Sequence, residues 1–300
     1  MGQTMNQISK RQNSPEFLRL MCARSQIYRE ARFFQILQLI LTVGVPFLAG
    51  VLGGFCPDIR PVAGALSVAL ILLDVSVLDR QQRNKLKLAA KISEQFDTGV
   101  LELPWNDFIT KHVEPEMIER ASFAWPYGDT KLRDWYTPSV SKAPIALGRI
   151  LCQRANLQYD GRLRSFYGNC LIGLAVLIVS ILVMIAVAKH LQFTDWVLTI
   201  AAPAGPIFLW AIRERFRQTD TGKADDMIRA SVETLWKQTS TGMNTTEQSL
   251  AQSRTLQDAI FAHRSSSPMT FPFIYNYMRN RLEREMHAGI DDLLRSVGIS

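Results

Sequence analysis

Two long stretches of the chain carry no charged residue. Phe33–Pro57 runs for 25 residues and Ser165–Ala188 for 24 without Asp, Glu, Lys or Arg. At ~1.5 Å rise per residue, about 20 apolar residues cross a hydrocarbon core. Each stretch therefore predicts a membrane-spanning helix. A weaker segment follows each one after a short polar link. Pro61–Leu78 is interrupted only by Asp74 and follows the link Asp58–Arg60. Trp196–Ile212 has 17 uncharged residues and follows Lys189–Asp195. The pattern predicts four transmembrane helices arranged as two hairpins, over residues 33–78 and 165–212.

The flanking regions read as helical. Ser14, Pro15 and Glu16 form a helix start, with a cap, a proline at the first position and an acid at the positive dipole end. That helix is expected to run into the first span. Leu78–Phe96 extends the second span and Ile145–Tyr167 feeds the third. Asp225–Gln238, Thr246–His263 and Tyr275–Val297 show further helical periodicity, broken by Ser265–Pro268. Asp97–Pro144 is the least regular region, yet it holds Trp105, Trp125 and Trp135, which suggests a packed segment. No convincing strand alternation occurs. The expected architecture is an all-α membrane protein with four transmembrane helices in two hairpins plus a cytoplasmic helical domain. Its parts are an N-terminal helix (1–32), hairpin 1 (33–78), a middle region (79–164), hairpin 2 (165–212) and C-terminal helices (213–300).

Charge fixes the expected orientation. Hydrophobic residues are 47% and charged residues 20% of the chain, which excludes disorder. Residues 1–32, 79–164 and 213–300 hold 6, 14 and 12 Lys and Arg, whereas each hairpin tip holds one, Arg60 or Lys189. By the positive-inside rule the three large regions are cytoplasmic, with both termini. The first apolar run begins after 32 residues and is too long for a cleavable signal peptide. Two short outer turns leave no surface for an external ligand, so the signal is expected from the cytoplasm.

Catalytic chemistry is not apparent. Cys22, Cys56, Cys152 and Cys170 show no CxxC or Cys/His spacing. His112, His190, His263 and His287 are isolated in sequence, and no HExxH, GxSxG, Walker A or GxGxxG motif occurs. Asp225–Asp226 and Asp291–Asp292 point to different helix faces and suit solvation. The chain is read as a non-enzyme with no metal site and no cofactor. Polar and small residues form stripes along the spans, suiting either helix packing or a water or ion path. Asp74 lies roughly one turn from the cytoplasmic end at ~1.5 Å per residue, either on such a path or paired with Arg80 or Arg83. Pro203–Pro206 marks a membrane hinge. Basic and aromatic residues mix in the cytoplasmic regions: Arg149, Gln153 and Arg154 with Trp135 and Tyr136, and Arg279 with Tyr275. Guanidinium groups clamp phosphates and aromatics stack on bases. Arg149 and Arg154 also suit anchoring of their helix at lipid headgroups.

Several motifs then read together: Tyr28–Arg29–Glu30–Ala31, Glu94–Gln95–Phe96–Asp97, Leu103–Pro104–Trp105–Asn106, Asp134–Trp135–Tyr136, Arg149 through Leu157, Asp160 through Arg164, and Pro272–Phe273–Ile274–Tyr275. In this order around two hairpins, the chain resembles the SMODS-associated four-transmembrane effectors of bacterial antiphage (CBASS) systems. The resemblance implies an inner-membrane effector that senses a cyclic oligonucleotide second messenger and disrupts the lipid bilayer. Self-association is expected and direct DNA binding is not. An ion channel or transporter subunit outside immunity, or a membrane anchor for a cytoplasmic partner, are the alternatives.

Overall fold

The computed structural model describes residues 6–55, 57–190, 192–197 and 201–299; Cys56 lies outside them. Among these residues there are helices and connecting segments but no strand. In chain order the α-helices are α1 (Ile8–Gln12), α2 (Pro15–Leu39), α3 (Val45–Phe55), α4 (Arg60–Leu73), α5 (Asp79–Leu101), α6 (Pro115–Phe123), α7 (Ile145–Ala188), α8 (Phe193–Trp196), α9 (Ala202–Ser240), α10 (Thr246–Ser266) and α11 (Pro272–Ser296). Two π-helical turns, Ile40–Gly44 and Asp74–Leu78, join α2 to α3 and α4 to α5. Such turns insert an extra residue per loop of the ladder and often mark functional segments.

The chain divides into two compact units. One, here the charged unit, comprises Met1–Glu30, Lys85–Leu163 and Thr221–Ser300; the other, the apolar unit, comprises Ala31–Asn84 and Arg164–Asp220. The chain passes between them four times, and each passage falls inside a helix: α2, α5, α7 and α9.

In the charged unit, local sequence explains most helix limits. Thr245 and Gln248 start α10 with a reciprocal capping box, their hydrogen bonds 3.2 and 2.9 Å long. Pro272 opens α11, whose buried face is Ile274, Met278, Leu282, Met286, Ile290 and Leu294. This four-residue repeat is one helical stripe turned to the core. The core itself is built from Ile8, Met21, Ile92, Phe96, Tyr136, Ile150 and Leu151. Asn6 donates to the carbonyls of Val140 and Ala143, and Gln12 bonds both ways with the Tyr136 backbone at 2.8 Å. These bonds fix residues 136–143, which include the short 3-10 helix Pro138–Lys142. The middle region also contains α6, a helix that periodicity does not predict. Its packed side is only Ile118 and Ala121. Phe108 and Phe123 there are almost fully exposed, so the aromatic content of this region is only partly packed.

In the apolar unit α3 packs on α4. Apolar side chains face outward along both, and along α7 from Ile172 to Val187. Two helical stretches, Pro15–Gly53 and Ile145–Ala188, are long and apolar enough to cross a membrane, and little of their most apolar part is buried by protein. Outward apolar faces of this kind need lipid or a partner to cover them. Asp74 is not paired with Arg80 or Arg83. Its Oδ1 accepts from Gln38 Nε2 at 2.7 Å, while Arg83 pairs with Asp79 at 2.7 Å. The carboxylate is thus engaged across the hairpin by α2 instead of along its own helix. Pro206 stands inside α9. Pro203 falls in the first turn, and its side chain lies outside the described residues.

Candidate functional site

The first turns of α7 place Arg149, Gln153 and Asn156 on one side, at helical spacing. Arg149 reaches the open end of α5. Its Nε donates to the Leu101 carbonyl at 2.7 Å and its Nη2 to the Glu102 carbonyl at 2.9 Å. Glu102 has φ +53, a left-handed helix end whose last carbonyls need donors. Arg149 is buried, and burial pulls its pKa down against the pull of Glu102. It caps a helix inside the charged unit and is not a headgroup anchor. Gln153, fully buried, donates to the Ser253 carbonyl at 2.7 Å and to Gln257 Oε1 at 3.2 Å.

Behind these residues α5 carries two buried acids, Glu94 and Asp97. Arg254 Nη2 meets Glu94 Oε1 at 2.5 Å, and Gln257 donates to Glu94 Oε2 at 2.8 Å. Burial raises the Glu94 pKa, and the bonds from Gln257 and Arg254 oppose it. Arg264 Nη1 meets Asp97 Oδ2 at 2.8 Å, and the Tyr136 hydroxyl donates to Asp97 Oδ1 at 2.7 Å. Burial, followed by the Asp97 charge, holds the Tyr136 pKa well above the phenol value, so Tyr136 stays a donor.

The network continues outward. Asn156 Nδ2 donates to the Tyr136 hydroxyl at 2.9 Å, and Trp135 Nε1 donates to Asn156 Oδ1 at 3.3 Å. Trp135 then meets Tyr159, with centroids 6.0 Å apart, and Tyr159 meets Tyr275 at 6.2 Å. The Arg24 guanidinium lies 4.8 Å from the Trp135 ring centroid. Arg279 donates to Glu283 at 2.7 Å and to the Lys131 carbonyl at 2.6 Å, and its charge opposes the upward pKa shift of Tyr159. Burial, then the neighbouring Tyr275, pushes the Tyr159 pKa up, so Tyr159 is a neutral hydroxyl at any physiological pH. Three rings and two guanidinium groups thus gather at the outer end of one hydrogen-bonded chain.

The structure therefore brings together Trp135, Tyr275 and Arg279. It commits Tyr136, Arg149 and Gln153 to bonds within the protein. Arg154 stands apart, donating to Gln158 at 3.1 Å and lying 4.0 Å from Glu233. Sequence reasoning missed Tyr159 and Arg24. Tyr159 lies three residues from Asn156 on α7, a spacing that could have flagged it; Arg24 had no local signal.

Two open clefts of about 380 and 700 Å³ lie elsewhere, between α2 and α6, and share Arg19, Glu119 and Phe123. Arg19 and Glu119 pair across them at 3.2 Å. A separate group of metal-ligating type also occurs. Asp160, Asp225 and His263, on α7, α9 and α10, bring their ligand atoms within 4.8 Å of one another. Asp225 is 2% exposed at its side chain and is not solvated as its sequence context suggests. Its neighbour Asp226, 65% exposed, is. The helix buries the first face and exposes the second.

Comparison with known proteins covers nearly the whole chain. The family model of the SMODS-associating 4TM effector domain matches residues 6–293. A protein of Bacillus cereus (strain VD146) named "Probable CBASS effector molecule" is 21% identical over 282 residues, covering 92% of this chain and 94% of that protein. No solved structure matches.

Proposed function

This chain belongs to the SMODS-associating 4TM effector family, and from that premise we propose that it is a CBASS-type effector. In this reading the charged unit senses a cyclic oligonucleotide in the cytoplasm. The apolar unit crosses the bacterial inner membrane four times, as two hairpins, and permeabilises it when the messenger binds. The similarity to the Bacillus cereus protein supports the immune role. The enclosed catalytic constellation an enzyme requires is not what the reading rests on; the output is mechanical.

One observation carries the reading: all four passages between the units fall inside helices. A helix keeps its hydrogen bonds when it tilts or turns, so a rearrangement at one end is delivered at the other. A flexible linker would lose it. The ligand surface proposed is Trp135 and Tyr275 for stacking, backed by the buried Tyr159, with Arg24 and Arg279 for phosphate. A cyclic oligonucleotide carries one phosphate per nucleotide, and bidentate guanidinium contacts match it. Tyr136, Arg149 and Gln153 act through this surface by holding α7 against α5 and α10. Four helices in one copy are too few to enclose a wide lumen, so permeation is proposed to need several copies.

The test uses purified full-length protein in detergent and a panel of cyclic di- and trinucleotides. One member of the panel is expected to bind, and Arg279→Ala or Tyr275→Ala to weaken it at least tenfold. In liposomes the same messenger is expected to release dye, at a rate rising faster than linearly with protein density. Absence of binding across the panel, or release that ignores the messenger, overturns the reading.

A further inference from the structure

The geometry points to a divalent transition-metal site formed by Asp160, Asp225 and His263, with Zn²⁺ the ion its donors fit best. His263 Nε2 lies 2.8 Å from Asp225 Oδ1 and 3.9 Å from Asp160 Oδ2. The donors come from α7, α9 and α10, and all three lie in the charged unit. The side chains of Asp225 and His263 are 2% and 12% exposed, while Asp160 keeps 34%. Two donors are thus held in the interior and the third stands at an entry path.

The contact between His263 and Asp225 does not have the form of a hydrogen bond. The two atoms are close, yet no hydrogen bond satisfies His263 Nε2. An imidazole N–H would place its acceptor on the ring nitrogen axis. Two ligands on one ion behave differently. With bonds of about 2.1 Å they stand about 3.4 Å apart on a tetrahedral ion such as Zn²⁺, each off the other's lone-pair axis. The 2.8 Å and 3.9 Å separations of His263 from Asp225 and Asp160 bracket that spacing. Asp160 closes the set by a side-chain rotation, which its partial exposure permits. The backbones already meet here: a Cβ on Gly161 would stand 3.7 Å from the Asp225 Cβ.

Donor chemistry selects the ion. Imidazole nitrogen disfavours Mg²⁺ and Ca²⁺, which prefer oxygen, and suits Zn²⁺. Two carboxylates balance a 2+ charge, which matters where burial makes uncompensated charge costly. The bound ion would fasten α7 and α9, the two helices that continue into the apolar unit, to α10. Nothing in this inference depends on a nucleotide messenger.

The test uses full-length protein in detergent, stripped with a chelator and then dialysed against Zn²⁺. One equivalent of Zn²⁺ is expected to bind and to raise the melting temperature. His263→Gln is expected to lower Zn²⁺ affinity at least tenfold, and His263→Cys, which restores a zinc ligand, to recover most of it. Because changes at these buried positions can disturb folding, Asp160→Asn serves as the second variant. It is expected to lose affinity at least tenfold with an unchanged melting temperature in the metal-free state. No stoichiometric Zn²⁺ binding, or binding that His263→Gln and Asp160→Asn leave unchanged, overturns the site.

Discussion

Gly99 in α5 faces the ring of Phe17, and a Cβ there would stand 2.3 Å from Phe17 Cε1. The ring cannot swing away easily. It is 7% exposed and packs edge-on against Phe96 with centroids 6.1 Å apart. Gly99→Ala gains about 1 kcal/mol of helix propensity but forces the core apart, at a cost of about 1–3 kcal/mol. Crowding wins, and the variant is expected to melt lower. Gly222 in α9 has no atom within 4 Å of its Cβ position. There only the propensity acts, so Gly222→Ala is expected to gain about 0.5–1 kcal/mol. Thermal denaturation of both in detergent checks the pair; opposite signs are required. Single residues were also where sequence reading was weakest. Arg149 and Gln153 look like ligand-binding residues because they are polar and helically spaced. In the fold that spacing serves the α5 terminus and Gln257 instead. Asp160, Asp225 and His263 are far apart in sequence and meet only through helix packing, which no local spacing encodes.

At the scale of elements, α9 is the place to test mechanical coupling. A proline inside a helix removes a hydrogen bond and costs about 3 kcal/mol relative to alanine. Pro206 lies five residues into the helix as described, close to the proposed hinge. Pro203→Ala together with Pro206→Ala is expected to stiffen this end of α9. Messenger-driven dye release should fall while messenger affinity stays within twofold; normal release would remove the hinge. Helices were the most legible feature of the sequence. A long stripe such as Ile274 through Leu294, or a capping box at Thr245, is a strong local signal. The exceptions are informative. The helix α6 buries too few residues to show a period, and the π-turns at Ile40–Gly44 and Asp74–Leu78 leave no mark on an apolar run. Their alignment with the Gln38–Asp74 bond is a property of the folded hairpin alone.

For the whole molecule, orientation is the decisive expectation, since the proposed cytoplasmic sensing requires it. Single cysteines at Ile59 and Gln192, in a background without the four native cysteines, should react with an impermeant thiol reagent in spheroplasts. One at Ser266 should not; labelling there would reverse the topology. The make-up of the charged unit has a further consequence, for biosynthesis. It is assembled from three separate stretches, Met1–Glu30, Lys85–Leu163 and Thr221–Ser300. A ribosome makes the first stretch before Tyr136, which Gln12 holds, exists. It makes Glu94 and Asp97 long before Arg254 and Arg264, their ionic partners. Both apolar blocks are therefore translated, and delivered to the insertion machinery, before the acids of α5 are neutralised. Until then two carboxylates destined for the interior have no guanidinium to meet, and the unit cannot close. A copy cut short during synthesis would hold both apolar blocks but not a closed charged unit. The order of the chain thus makes closure of that unit the last step of assembly.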